Sequence, residues 1–354
     1  NLGNSHTSQR RSNIVKVDKL DVCLRAAAMY LGSIRRQRMA LDFATARFLE
    51  QMAEGGGRPL HECTPDEARA LGSVIAELAG PAPEMDRVTE VTVDRTDGEV
   101  RLRVLIPIEN PRGVVVYYHG WGWVIGSIDE SDTIARKLAE RTSCAVVLVD
   151  YRLAPEHPYP TAVDDSYAAL EWVGENLAEI ADAEAPLIVA GDTAGGSLAA
   201  VMAIRARDRG GPAIALQALI YPVTDSDFSR PSYASPENKL MLTREGMIWF
   251  WDHYVPESSR RKEPDASPLH ADDLSGLPPA VILTAEFDVL RDEGEAYAER
   301  LTEANVPTDL KRDAGQMHGF FSLLMLPGSE LGFQQVVKAA KACIAKARKA
   351  QLTR

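Results

Sequence analysis

The chain has 354 residues, is 45% hydrophobic and carries a formal charge of −12, from 39 basic and 51 acidic side chains. That length and apolar content can fill one substantial α/β core with a decoration, and the acidic balance disfavours nucleic acid or an anionic membrane surface as a partner. Four scattered cysteines, Cys23, Cys63, Cys144 and Cys343, with no Cys-x-x-Cys pair, argue against a disulfide framework or a zinc site and fit a reducing cytoplasm.

Residues 1–19 are polar, with no signal-like apolar core. The apolar stretch 22–31 is short and contains Arg25, and no run reaches the roughly 20 apolar residues that span a bilayer. A soluble, cytoplasmic protein without stable membrane insertion is expected. Residues 20–78 read as helices: Leu20, Leu24, Ala27, Ala28 and Leu31 recur at helical spacing, Gly55-Gly56-Gly57 breaks the pattern, and Thr64-Pro65-Asp66-Glu67 has the form of an N-cap with an acidic first turn. Gly80-Pro81 marks a boundary. This predicts an N-terminal helical cap region over 1–84 and a catalytic domain over 85–354.

Residues 88–94 and 99–106 alternate apolar and polar around Asp97-Gly98, which predicts a hairpin. Continuous apolar runs follow at 114–118, 145–149, 187–190, 214–221 and 280–284, each suited to a strand buried on both faces. Helical stretches at 132–141, 162–179, 194–207 and 292–304 separate most of them. Alternation after a hairpin predicts an α/β fold, a largely parallel central sheet flanked by helices. Residues 225–264 interrupt the rhythm. With Met241, Met247, Trp249, Phe250, Trp251 and Tyr254 they are too apolar for a solvated loop. Such a stretch is either a packed surface helix or a lid over an apolar pocket, and its place between core strands favours the lid.

Chemistry concentrates at Gly191-Asp192-Thr193-Ala194-Gly195-Gly196. A strand, a Gly-x-nucleophile-x-Gly turn and a helix form a nucleophile elbow, in which small flanking residues let a strained turn present a hydroxyl. The apex here is Thr193, where Ser is usual. Such a site needs a base, an orienting acid and oxyanion donors, in the chain order nucleophile, acid, base. Of the seven histidines only His318 follows a plausible acid. Asp288, after the run 281–287, fits the acid; Glu286 competes with it. His119-Gly120-Trp121-Gly122-Trp123 follows the strand run 114–118 and can aim backbone N–H groups at an oxyanion; His119 itself reads as a structural hydrogen-bonder.

Together these motifs, with Asp150-Tyr151-Arg152-Leu153-Ala154-Pro155-Glu156-His157-Pro158, Asp288-Val289-Leu290-Arg291-Asp292 and His318-Gly319-Phe320, resemble those of the hormone-sensitive-lipase-like (bacterial family IV) carboxylesterases of the α/β-hydrolase fold. The resemblance spans about residues 85–345 and, more loosely, the cap. It implies a triad of Thr193, Asp288 and His318, oxyanion donors at the N–H groups of Trp121, Gly122 and Ala194, and no metal or cofactor. Trp123, Asp192, Met247, Trp251 and Phe320 are the candidates for the substrate pocket, and the segment 151–158, His157 included, is read as structural. The implied activity is hydrolysis of small to medium apolar esters, and a homodimer is compatible with the resemblance.

Two departures stand out. Thr replaces Ser at the apex, a strained position for a β-branched residue, so slower turnover than Ser would give is expected, although Thr can act as a nucleophile. Trp121 replaces the middle glycine of the usual three; if that site needs φ > 0, it is strained by roughly 1–2 kcal/mol. A slow or specialised hydrolase, an inactivated or ligand-binding form, and a site turned to elimination or cyclisation all stay open. The plant 2-hydroxyisoflavanone dehydratases, similar to carboxylesterases and carrying Thr at the same position, are the precedent for the last.

Overall fold

The computed structural model describes residues 41–56 and 58–353; the expected helical periodicity at 20–31 lies outside them. Two helices come first, α1 (Phe43–Glu54) and α2 (Pro65–Glu77). α1 begins at Asp42, whose carboxylate accepts from Ala44 N and Thr45 N, and Asp42 N donates to Gly315 O at 3.0 Å. α2 opens with the predicted cap as a reciprocal box: Thr64 N donates to the Glu67 carboxylate at 2.9 Å, and Glu67 N to Thr64 Oγ1 at 3.3 Å.

Strands β1 (Arg87–Arg95) and β2 (Gly98–Ile106) form the hairpin, with Gly98 at φ 147°. Then come β3 (Val114–Tyr118), α3 (Ile128–Thr142), β4 (Ala145–Asp150), α4 (Thr161–Glu175), β5 (Leu187–Asp192), α5 (Ala194–Arg209) and β6 (Ile214–Ile220). After an insertion that carries α6 (Arg244–Tyr254), the chain ends with β7 (Ala280–Phe287), α7 (Arg291–Glu303), β8 (Thr308–Met317) and α8 (Pro327–Leu352). The eight strands make one sheet in the order β1-β2-β4-β3-β5-β6-β7-β8. β2 meets β4 antiparallel, and every pairing from β4 through β8 is parallel.

The apolar runs become the central strands because they are covered twice. In β3, Val114, Val116 and Tyr118 enter one core and Val115 and Tyr117 the other; each fully buried Val contributes roughly 1.5–3 kcal/mol. Some boundaries differ from the sequence reading. Asn176 interrupts the helix expected over 162–179. β7 runs to Phe287, beyond the apolar run 280–284, and β8 ends at Met317, so Asp288 and His318 each follow a strand end directly. α8 was not anticipated, although Phe333, Val336, Ala340 and Ile344, all buried, recur at helical spacing.

Candidate active site

Parallel strands bring their carboxyl ends to one edge of the sheet, where loops can converge. The register does this closely here: Asp192 pairs with Ile220 across β5 and β6, and Phe287 with Met317 across β7 and β8. The next residues in line are Thr193, Tyr221, Asp288 and His318.

At the elbow Thr193 has φ 52° and ψ −114°, a region that costs a non-glycine residue about 1–3 kcal/mol. The turn is tight enough that a Cβ at Gly195 would overlap the Tyr118 carbonyl, and one at Gly191 the Gly195 carbonyl. Thr193 N donates to Ile220 O at 2.9 Å, and Thr193 O accepts from Val223 N at 3.1 Å and Ser197 N at 3.1 Å, which ties the strained residue to its surroundings. α5 starts at Ala194, so the positive end of its dipole lies at the apex.

The structure brings the three expected side chains into one line. Thr193 Oγ1 lies 3.0 Å from His318 Nε2, and His318 Nδ1 lies 2.8 Å from Asp288 Oδ2. All three are buried, at 7%, 8% and 1% exposure. Asp288 Oδ1 accepts from Leu290 N at 2.9 Å, which fixes the carboxylate plane. Glu286, the competing acid, instead accepts from Gly315 N at 2.8 Å. The acid turn is braced by the insertion: Asn238 Nδ2 donates to Asp288 O at 3.1 Å and to Ser232 O at 2.7 Å, and Ser232 Oγ to Val289 O at 2.6 Å. Glu293, fully buried below this turn, accepts from Thr224 N at 2.9 Å and from the Tyr233 hydroxyl at 3.0 Å, and burial pushes its carboxyl up to about 8.

The Gly-rich turn lies beside the elbow. Trp121, Gly122 and Trp123 have φ of 71°, 65° and 61°, so the strain foreseen at Trp121 is present and Trp123 adds a second instance; each costs about 1–2 kcal/mol. Among the described residues, no protein acceptor takes the N–H of Trp121, Gly122 or Ala194. A Cβ at Gly122 would run into the Phe250 ring of α6. His119 is fully buried, stacks on Tyr151 with ring centroids 4.3 Å apart, and donates from Nδ1 to Gly120 O at 3.1 Å; burial lowers its pKa. His157 is exposed.

The five pocket candidates separate. Trp123 stacks on Tyr254 at 4.1 Å and meets Trp251 edge-on at 5.4 Å, and Met247 joins the same core, all fully buried. Phe320 packs in the other core, against Tyr221. Asp192 lies under the Gly-rich turn, accepting from the Tyr117 hydroxyl at 2.8 Å and the Ser322 hydroxyl at 2.9 Å, with burial raising its pKa. Two neighbours were missed in the sequence: Tyr221, whose ring lies 4.7 Å from His318, and Ser322, 2.9 Å from the Tyr221 hydroxyl. The position of Tyr221 at the tip of the strand next to the elbow strand was the available signal. A cleft of ≈ 580 Å³ opens at the other end of β5, lined by Glu171, Leu177, Pro186 and Pro212, with no nucleophile or histidine. Among the described residues no group of three or more His, Cys, Asp or Glu side chains gathers to hold a metal ion, and no helix is long and apolar enough to cross a membrane.

A family model for the α/β-hydrolase fold matches residues 115–322. The chain belongs to the α/β-hydrolase family. This α/β hydrolase is 45% identical over 251 residues to the carboxylesterase NlhH of Mycobacterium tuberculosis, covering 69% of this chain and 78% of that protein. It is 34% identical over 314 residues to an ethyl acetate hydrolase of Pseudomonas putida, covering 85% of this chain and 98% of that protein. Among solved structures, a thermostable esterase from Pseudomonas putida superposes with a TM-score of 0.80 at 36% identity, covering 86% of this chain and 98% of that one. By this kinship the α/β hydrolase is a carboxylesterase-like enzyme.

Proposed function

We propose that the chain hydrolyses small to medium apolar carboxylic esters through an acyl-enzyme on Thr193. The observation that carries this is the continuous hydrogen-bonded line from Thr193 Oγ1 through His318 to Asp288 at a strained elbow. His318 Nε2 takes the proton as Oγ1 attacks the ester carbonyl, and returns it to the departing alkoxide. Asp288 holds the Nδ1–H tautomer and offsets the charge on the imidazolium. The N–H groups of Trp121, Gly122 and Ala194 receive the oxyanion, aided by the N-terminus of α5. Water then repeats the sequence on the acyl-enzyme.

The apolar preference is supported by Phe250, whose ring α6 lays on Gly122, by Trp251, which meets Trp123, and by the relative named for ethyl acetate hydrolysis. The same insertion places Met241 above Gly319, beside His318. Residues 225–264, with α1 and α2, therefore serve in this reading as the lid and cap.

A second reading, elimination of water without acyl transfer, draws on one observation: the apex hydroxyl is a threonine beside an intact His–Asp pair. A fluorophosphonate probe followed by mass spectrometry separates the two. Labelling of Thr193 is expected for the hydrolase. No labelling of wild type or Thr193→Ser, with a native conversion lost in His318→Ala, would mean elimination.

A further inference from the structure

The Gly-rich turn has a backbone that its own side chains disfavour. Three consecutive residues, Trp121, Gly122 and Trp123, are left-handed, and only one of them is glycine. The start of the turn is held from the core, where the Tyr151 hydroxyl lies 2.8 Å from His119 O and 3.3 Å from Gly120 O. Its end is held from α2. Arg69 donates from Nε to Val124 O at 2.9 Å and from Nη2 to Ala154 O at 3.0 Å. Ala154 N donates in turn to Trp123 O at 2.9 Å. One guanidinium thus closes a ring through the carbonyls of Val124 and Ala154 and the peptide that grips Trp123.

The guanidinium is itself fixed. Glu156 accepts from Nη1 at 2.9 Å and from Nη2 at 2.7 Å. α2 is seated beside the turn by buried Ala68, by Gly72, where a Cβ would come within 3.0 Å of the Ile125 side chain, and by Ser73, which donates to Glu130 at 2.8 Å. Half-exposed, the Arg69–Glu156 pair adds little as a salt bridge. Its use is to aim a planar fork at two carbonyls at once, which a lysine ammonium cannot do.

We propose that Arg69 is a positioning residue for the oxyanion hole: its hold on Val124 O and Ala154 O keeps Trp121 to Trp123 left-handed, the conformation that offers the N–H groups of Trp121 and Gly122 to the reacting carbonyl. The assignment rests on the hydrolase reading for its kinetic consequence, not for the conformational one. Oxyanion contacts strengthen in the transition state, so their misplacement lowers kcat more than it raises KM. A glycine at position 121 would remove one of the two strained side chains from the turn.

Two measurements test this. In Arg69→Lys, which keeps the charge beside Glu156, kcat for a p-nitrophenyl ester is expected to fall about 10- to 100-fold, the scale of a small misplacement at a reacting centre, with KM little changed. Arg69→Ala behaves likewise. In a Trp121→Gly background, which relieves one of the two strained residues, the same change at Arg69 has a smaller effect, because only Trp123 still needs holding. Independently of activity, hydrogen exchange read by mass spectrometry should be faster across residues 119–126 in Arg69→Lys, and Trp121→Gly should restore part of the protection. Unchanged exchange there in both Arg69 variants, or Arg69→Lys matching wild type in kcat, overturns the proposal. A wild type inert toward esters overturns the hydrolase reading instead, and the exchange result then decides the role of Arg69 alone.

Discussion

Thr193→Ser, read beside Thr193→Ala, tests whether the apex hydroxyl is the attacking group. The apex hydroxyl already lies 3.0 Å from His318 Nε2, so the substitution creates no missing contact; it removes a methyl group. Loss of that nearly buried methyl gives up about 0.8 kcal/mol of burial, while relief of a β-branched residue at φ 52° returns a similar amount. Stability should therefore stay within about 1 kcal/mol and the melting temperature within about 4 °C. The rate has no such cancellation. A threonine rotamer forced by the elbow costs about 0.5–1.5 kcal/mol, and crowding of the attacking oxygen adds to it. The rotamer alone corresponds to about 2- to 12-fold in kcat/KM, and relief of the crowding raises the gain further. The assay is release of p-nitrophenol from acetate and butyrate esters, with pre-steady-state traces to detect an acyl-enzyme burst. If Thr193→Ser is no faster than wild type, the methyl group does not slow the attack; if Thr193→Ala keeps wild-type turnover, Thr193 is not the nucleophile.

Asp288→Asn should keep the fold but lose about 10³- to 10⁴-fold in kcat, because the amide no longer holds the Nδ1–H tautomer; circular dichroism and ester turnover check the two halves of that statement. Glu293 predicts a pH dependence of stability. Its carboxyl titrates at about 8 in the fold and at roughly 4.3 unfolded, so between those values the folded state binds more protons and stability falls as pH rises. The contribution is fully present below the lower value and lost through about 8. Melting temperature should therefore decline from pH 6 to 9, and Glu293→Gln should flatten that decline.

Much of this was legible in the sequence because parallel α/β architecture writes itself locally. Apolar runs became β3 to β7, Asp97-Gly98 became the hairpin turn, and the chain order of elbow, acid and base leads to side chains that meet at one sheet edge. What escaped depends on contacts between distant residues. Arg69 reaches Val124 and Glu156 across 55 and 87 positions, and nothing in the local pattern of α2 distinguishes it from a solvated arginine. The left-handed φ of Trp123 was equally invisible, because nothing in the sequence pattern marks a tryptophan, here a pocket candidate, as left-handed. The place of Asp288 after the run 281–287 favours it over Glu286, but where the competing carboxylate goes was not legible: β7 ends at Phe287 and sends Glu286 to Gly315 and Asp288 to His318.

The bracing of the acid turn divides the insertion into two parts with unequal freedom to change. Asn238, Ser232 and Tyr233 hold the peptide after Asp288 and the buried Glu293, so residues 225–238 are tied to the geometry of the proton relay. Residues 239–264, which carry Met241, Met247, Phe250 and Trp251, have no such hold on the relay. In the proposed hydrolase, substrate range can be altered through the second part without touching Asp288, provided Phe250 is kept against Gly122 and Trp251 against Trp123. A junction placed before Asn238 would remove the bracing of Asp288 in the same exchange.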